Sequence, residues 1–546
     1  MFRGCFSLVH LNLTSFYSSK ISNFSYLFSD CYNLKNLSLQ NFKGSTVSNR
    51  MDYMFSNCKN IEIINLYNLE LYETRNVSGM FNGCISLKEI NLVNDVHSKI
   101  EDFSYMFSNC QSLTSINMKT FIGSDKFHNM DYMFNNCTKL QKVIFSYYEG
   151  FNTRKTTSMK YMFNNCTSLP HSKNLDIFVF EVPELSYMFN NCTSLTSFEL
   201  SNNFLKPLEE ESEINNYEYM FNNCSRLTKI DLANLQYNSS INLQGLFSNC
   251  ISLKNVIFTN FDIAKAIDLS FMFKNCKTLE SLNLSSLNNF NYFNTMEGLL
   301  YGCEMLFNLD INNFDTSKTI NMKNMFHDCS RLSTINLKNI KTSYVENMNG
   351  IFSGCRSLTY LDLEGFDTSS VTDLSHMFDN CNLITTLSLK NFNTTSVKRI
   401  DSMFKNCISL LFLYISNFIT SSIVSMQSTF ENCNSLRILD IQNFDTTSVT
   451  DMSSMFSNCN SLEYLNIKYF SEKNLKKYDN IFDFTIDNLV FCQKENDGSA
   501  LFNILKEKSC GANTCEYNWK SKQKVIIDGE TKCYDNCFQN EIFKYR

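Results

Sequence analysis

The stretch Phe444-Asp445-Thr446-Thr447-Ser448-Val449-Thr450-Asp451-Met452-Ser453-Ser454-Met455-Phe456-Ser457-Asn458-Cys459 decides the architecture of this chain. Its closing box, Met-Phe-x-x-Cys, recurs from one end to the other. The cysteines at 5, 31, 58, 84, 110, 137, 166, 192, 224, 250, 276, 303, 329, 355, 381, 407, 433 and 459 form one series. Of its 17 intervals, 12 are 26 residues, three are 27, one is 29 and one is 32. A fixed period of this length marks a solenoid, in which no unit can bury its apolar edge alone and neighbours share one core. One coil per cysteine predicts about 18 coils.

Within a coil, Leu or Ile recurs three, six and eight residues after the cysteine, as Leu462, Leu465 and Ile467 do after Cys459. The last two alternate with period 2, which predicts a short strand with those side chains inward. An aromatic follows at +11 in many coils, at Phe314, Phe366, Phe392, Phe444 and Phe470. After a polar turn the apolar spacing changes to three and four (Val449, Met452, Met455, Phe456), the face of a short helix. Ser448-Val449-Thr450-Asp451 and Ser370-Val371-Thr372-Asp373 have the form of capping boxes for it. The expected fold class is therefore an α/β repeat solenoid with one short parallel strand and one short helix per coil. Helices are wider than strands, so the array should curve with its strands on the concave side.

Composition excludes several alternatives. Hydrophobic residues make up 43% and aromatics 14% of the 546 residues, too much for a disordered chain. The formal charge of −6 leaves no basic footprint for nucleic acid. No run reaches the roughly 18 apolar residues of a membrane-spanning helix, so membrane attachment would need an anchor this sequence does not contain.

The run 444–459 resembles the 26-residue bacterial-surface-protein repeat of the BspA-like leucine-rich-repeat proteins. The resemblance covers 1–470, is sharpest over 303–470, and is weakest around 167–219, where Pro170, Pro183 and Pro207 and the two longest intervals fall. It implies a leucine-rich-repeat solenoid at a cell surface or secreted, concerned with adhesion or host contact. It brings no catalytic residues. Beyond the array, 471–490 is expected to be an irregular last coil or C-cap, and 491–546 a small cysteine-rich tail.

The cysteines divide into two groups. The eighteen of the ladder read as small buried residues, since equivalent positions in stacked coils have parallel Cβ vectors and a disulfide needs converging ones. Cys492, Cys510, Cys515, Cys533 and Cys537 lie beyond it. Cys510, Cys515, Cys533 and Cys537 have the spacing for two disulfides, with a structural zinc as the alternative. No metal or cofactor is otherwise expected.

Ligand candidates lie on the strand face at +5, +7 and +9, which point away from the core. Position +7 is Asn or Asp in many coils (Asn65, Asn91, Asp362, Asp440, Asn466), either a polar spine bonded along the stack or a stripe for a cation or sugar. Near the C-terminal end of the array, Tyr360, Phe412, Tyr414 and Tyr464 put aromatics on this face. They form either a patch for a protein or glycan ligand or ordinary cross-strand packing.

Asn-x-Ser/Thr occurs eleven times, but Asn136, Asn165, Asn191 and Asn223 directly precede ladder cysteines, where a turn role is expected. The six His (His10, His97, His128, His171, His327, His376) form no i, i+4 pair, and no phosphate loop or nucleophile motif is present, so no enzyme is expected. The chain opens on Met1-Phe2-Arg3-Gly4-Cys5, already the repeat box, which leads us to expect a natural N-terminus further upstream. The leading reading is a non-enzymatic recognition and adhesion protein of the cell surface. The rivals are a cytoplasmic leucine-rich-repeat scaffold and a structural coat component.

Overall fold

The computed structural model describes residues 1–508 except 17–20, 40–49, 68, 70, 72, 93–98, 119–128, 146–155, 172–181, 200–213, 232–239, 258–265, 285–293, 312–315, 468, 486–488 and 493–498. The chain forms two compact units, Met1–Glu280 and Ser281–Arg546. Both are parallel β-solenoids. The repeat strands are mostly three residues long and pair in parallel one coil apart, as in His10↔Asn36, Ser281↔Asn308 and Phe412↔Thr386. Their central residue points inward while its neighbours face solvent, as in Ser115–Asn117 and Thr386–Ser388. The residues at +3 and +8 are buried with it, for example Leu436 with Ile441 and Leu358 with Leu363.

A second parallel ladder runs eight residues before each cysteine. In the first unit its rungs are Asn23, Arg50, Asn76, Asp102, Asn129, Ser158, Glu184 and Asn216, and in the second they run from Thr295 to Lys477. It widens into a three-stranded sheet of Ile214–Asn216, Ser240–Asn242 and Ala266–Asp268.

The helix expected in each coil is not formed in the described residues. The segment before each cysteine is instead a pair of tight turns with left-handed residues five and one positions before it, such as Tyr53 (φ 54°) and Asn57 (φ 61°), or Ser454 (φ 56°) and Asn458 (φ 59°). The hydrogen bonds explain why. Met54 N–H donates back to Met51 O at 3.2 Å and Cys58 N–H to Phe55 O at 3.1 Å. The alternate groups Tyr53, Phe55 and Asn57 donate to Ser78, Met80 and Asn82 of the next coil at 2.7–2.9 Å. An α-helix needs every N–H for its own i→i−4 ladder, and here every second one is committed to a neighbour. The three-and-four spacing still reports burial, because Val449, Met452, Met455 and Phe456 are all inside. The proposed capping boxes are likewise turns: Asp451 Oδ1 accepts from Ser453 N–H at 2.9 Å and Asp373 Oδ1 from Ser375 N–H at 2.8 Å. The one helix among the described residues is Ala500–Lys508. The Glu472 carboxylate caps it, accepting from the N–H groups of Ala500 (2.9 Å) and Leu501 (3.1 Å) and from Ser499 Oγ.

Three columns hold the coils together. Phenylalanines three residues before the cysteine stack face to face, from Phe55–Phe81 at 5.6 Å in the first unit to Phe430–Phe456 at 5.7 Å in the second. Each buried ring contributes roughly 2–3 kcal/mol through removal from water. The cysteines stack beside them, and their thiols are more than filler: most donate to the carbonyl of the phenylalanine in the preceding coil, as Cys58 Sγ does to Phe28 O (3.2 Å) and Cys459 Sγ to Phe430 O (3.1 Å), and Cys329 Sγ donates to Leu300 O (3.3 Å). In the second unit a buried threonine column joins consecutive coils. Thr394 Oγ1 donates to Ile419 O at 2.9 Å and accepts from Ile419 N–H at 2.7 Å, and Thr446 treats Ser471 the same way.

Candidate ligand-binding surface

The strand face of the second unit carries three of the four aromatics singled out above. Tyr360 is 66% exposed, Phe412 54% and Tyr414 43%. Phe412 and Tyr414 are the two ends of one strand and share its outer face, with Leu413 between them turned inward. Parallel pairing places Thr386 beside Phe412 and Ser388 beside Tyr414, so the aromatics stand among hydroxyls. Tyr360 belongs to the coil before that of Thr386, two rungs and therefore about 10 Å along the stack from Phe412. Lys390 Nζ lies 4.8 Å from the Tyr414 ring centroid, a cation–π contact at the rim. Leu411 adds exposed apolar surface at the same end.

Tyr464 does not join them. It is only 5% exposed, on the central strand of the sheet formed by Ile438–Asp440, Tyr464–Asn466 and Val490–Cys492. The aromatic column was legible in the sequence, but the coil that carries the flanking strand has Thr485 where the ladder has cysteine, although Asn480 and Phe484 keep its left-handed turn positions and Phe482 stacks on Phe456 at 5.2 Å. The tail candidates Cys510, Cys515, Cys533 and Cys537 lie outside the described residues. All eighteen ladder cysteines are free thiols. Burial pushes the thiol pKa up along the enclosed part of the ladder, to about 12 at Cys84, Cys137, Cys192 and Cys459. They are unfit as nucleophiles.

The amides at +7 form a polar spine. Asn91 Nδ2 donates to Asn65 Oδ1 at 2.7 Å, and Asn336, Asp362 and Asp440 each accept from a backbone N–H two residues on. Burial raises the pKa of Asp440. Among the described residues no three His, Cys, Asp or Glu side chains are grouped to hold a metal. Asn136, Asn165, Asn191 and Asn223 take the left-handed turn position with φ of 59–60°. Their amides are committed along the stack: Asn136 Nδ2 donates to Asn109 Oδ1 (2.8 Å), Asn165 to Asn136 (2.6 Å) and Asn191 to Asn165 (2.5 Å).

Sequence reasoning missed a second surface feature. Five residues before the cysteine, the first unit stacks tyrosines: Tyr105–Tyr132 at 4.7 Å, Tyr132–Tyr161 at 4.8 Å, Tyr161–Tyr187 at 4.6 Å and Tyr187–Tyr219 at 5.3 Å. All five are in the left-handed region. The signal available was a tyrosine just before the Met-Phe box in successive repeats.

The pattern described as "Mycoplasma protein of unknown function, DUF285" matches residues 1–121, 120–209, 197–304, 283–387 and 372–489. The chain belongs to this family. The five DUF285 matches between them span the repeat array. No curated protein matches the chain. Among solved structures, a leucine-rich repeat protein from Bacteroides ovatus is 18% identical with a TM-score of 0.38, covering 62% of this chain and 80% of that one. A leucine rich cell surface protein from Faecalibacterium prausnitzii is 17% identical with a TM-score of 0.31, over 67% of this chain and 89% of that one. An internalin from Listeria monocytogenes is 13% identical with a TM-score of 0.21, over 76% and 88%. The DUF285 chain is a repeat solenoid of short parallel strands. Among its described residues no helix is long and apolar enough to cross a membrane.

Proposed function

We propose that this chain is a non-enzymatic recognition and adhesion protein, displayed at the cell surface or secreted, that binds a protein or glycan ligand on the strand face of its second unit. The observation that carries the reading is the exposed Phe412 and Tyr414 on one strand of the ladder, with the exposed Tyr360 two coils earlier. Aromatics presented from a rigid scaffold lose little entropy on binding and supply large contact area, which is why they dominate binding energetics. The BspA-like resemblance of 444–459 supports the surface location and adhesive role. Replacing Phe412 and Tyr414 by Ala tests the site. Loss of anchors of this kind is expected to cost about 2 kcal/mol or more each, or roughly 30-fold in affinity per residue. Unchanged capture of the ligand by a still-folded variant would reject the site.

The rival is a cytoplasmic scaffold that presents the same face to another protein of its own cell, which predicts reduced tail cysteines. Surface biotinylation of intact cells, followed by a thiol count on the recovered chain, separates the two. Labelled protein with oxidised tail cysteines supports display, and unlabelled protein with every thiol free supports the scaffold.

A further inference from the structure

The tyrosine column is not a requirement of the turn that holds it. In the second unit the same left-handed position is filled by Gly298, Asn324, Gly350, His376, Ser402, Ser428 and Ser454, with φ between 53° and 60°. Glycine reaches that region freely and asparagine with little penalty, whereas a bulky side chain there is strained. The first unit nevertheless places Tyr105, Tyr132, Tyr161, Tyr187 and Tyr219 in it, at φ of 50–58°. Strain that the fold does not need points to something the side chains do together.

What serine or glycine cannot do and stacked phenols can is share and pass on an electron vacancy. The first four rings lie within 8° of parallel at centroid separations of 4.6–4.8 Å, in π contact throughout. Their hydroxyls differ in one respect. Tyr187 Oη donates to Glu218 Oε1 at 3.1 Å, while the hydroxyls of Tyr105, Tyr132 and Tyr161 have no hydrogen-bond partner among the described residues. Loss of an electron makes a phenol strongly acidic, so the ring whose proton has a carboxylate waiting is where the vacancy comes to rest.

We propose that this column is a relay for one-electron oxidation, with the Tyr187–Glu218 pair as its end point. A radical oxidant, meaning any one-electron acceptor able to oxidise phenol, takes an electron from a ring of the column and is itself reduced by one electron. Neighbouring rings refill the vacancy in turn until it reaches Tyr187. There the Oη–H bond breaks, the proton passes to the Glu218 carboxylate, and a neutral phenoxyl radical faces a carboxylic acid. Burial and the Glu218 charge raise the pKa of the Tyr187 phenol, so the proton is present to be transferred at neutral pH. The neighbouring Glu184 is occupied elsewhere, its Oε1 accepting from Ser186 N–H at 2.9 Å and its Oε2 from Asn216 Nδ2 at 3.1 Å.

The second unit supplies the control, because Tyr344 and Tyr360 are more exposed than any tyrosine of the column and neither is stacked on another tyrosine among the described residues. The full chain is treated at neutral pH with azidyl radical, and tyrosyl radicals are located by spin-trap adducts on mapped peptides, with electron paramagnetic resonance for total yield. Adducts on Tyr187 should exceed those on Tyr344 and Tyr360 several-fold. Glu218→Gln should spread them over the column, and Tyr187→Phe, which keeps the ring stack, should cut the total yield. Adducts that follow solvent exposure, with Tyr344 and Tyr360 dominant, would overturn the relay. So would an unchanged distribution in Glu218→Gln.

Discussion

Raising the pH should unfold this protein through its cysteines. In the folded chain the thiols of Cys84, Cys137, Cys192 and Cys459 are fully enclosed, and desolvation lifts their pKa values from 9.0 to about 12. Cys110, Cys166, Cys224, Cys329, Cys381 and Cys433 are shifted in the same direction by the same cause. A raised folded pKa means that the native state holds its proton where the unfolded chain has released it. Stability is therefore complete below the unfolded thiol pKa and falls as pH rises from there toward the folded value. Each such thiol removes about 1.4 kcal/mol per pH unit above roughly pH 9. The four just named remove about 6 kcal/mol at about pH 10, against the ~5–15 kcal/mol that typically holds a domain. The expected result is a steep loss of β-sheet circular dichroism between about pH 9 and 10.5, with thiolate absorbance appearing in the same step. Exchanging those four cysteines for serine removes four of the titrating groups and should move the midpoint upward, even if stability at neutral pH drops. Reaction of Cys84, Cys137, Cys192 or Cys459 with a disulfide reagent at pH 9–10, located by peptide mapping in protein that keeps its full sheet signal, would refute the reasoning.

Other substitutions test the columns separately. Phe378 is fully buried between Phe352 and Phe404, each 5.8 Å away, and Phe378→Ala should cost about 3–5 kcal/mol in urea unfolding of the second unit. Thr394→Val keeps the shape but removes both bonds to Ile419, leaving its N–H and C=O short of a partner, so about 2–3 kcal/mol is expected by the same assay. Gly79 has φ +59° and a Cβ there would meet the Tyr53 ring at 2.3 Å, so Gly79→Ala should destabilise the first unit by roughly 1–3 kcal/mol. Adding Tyr53→Ala should recover the steric part only, and a double-mutant cycle measures the coupling.

The sequence carried the period, the strands and the buried positions because each depends on side-chain burial, which hydrophobic spacing records directly. It misread the segment before the cysteine because three-and-four spacing is shared by two backbones. A helix of period 3.6 and a pair of four-residue turns bury the same Val449, Met452, Met455 and Phe456. The choice between them rests on where the backbone N–H groups go, which hydrophobicity does not encode. One cue was present all along, the Asn that precedes most ladder cysteines and takes the left-handed conformation at Asn57, Asn109, Asn406 and Asn458. A helix interior disfavours Asn, while a left-handed turn position tolerates it. The same argument explains the surface candidates. Tyr360, Phe412 and Tyr414 were legible because positions +5 and +7 flank the inward-facing +6, whereas Tyr464 is buried where its sheet continues into a coil with Thr485 in place of the ladder cysteine. Residues whose setting is fixed by the repeat are readable from one coil. Those set by a departure from it, at Tyr464 and in the tyrosine column that only the first unit builds, require the structure.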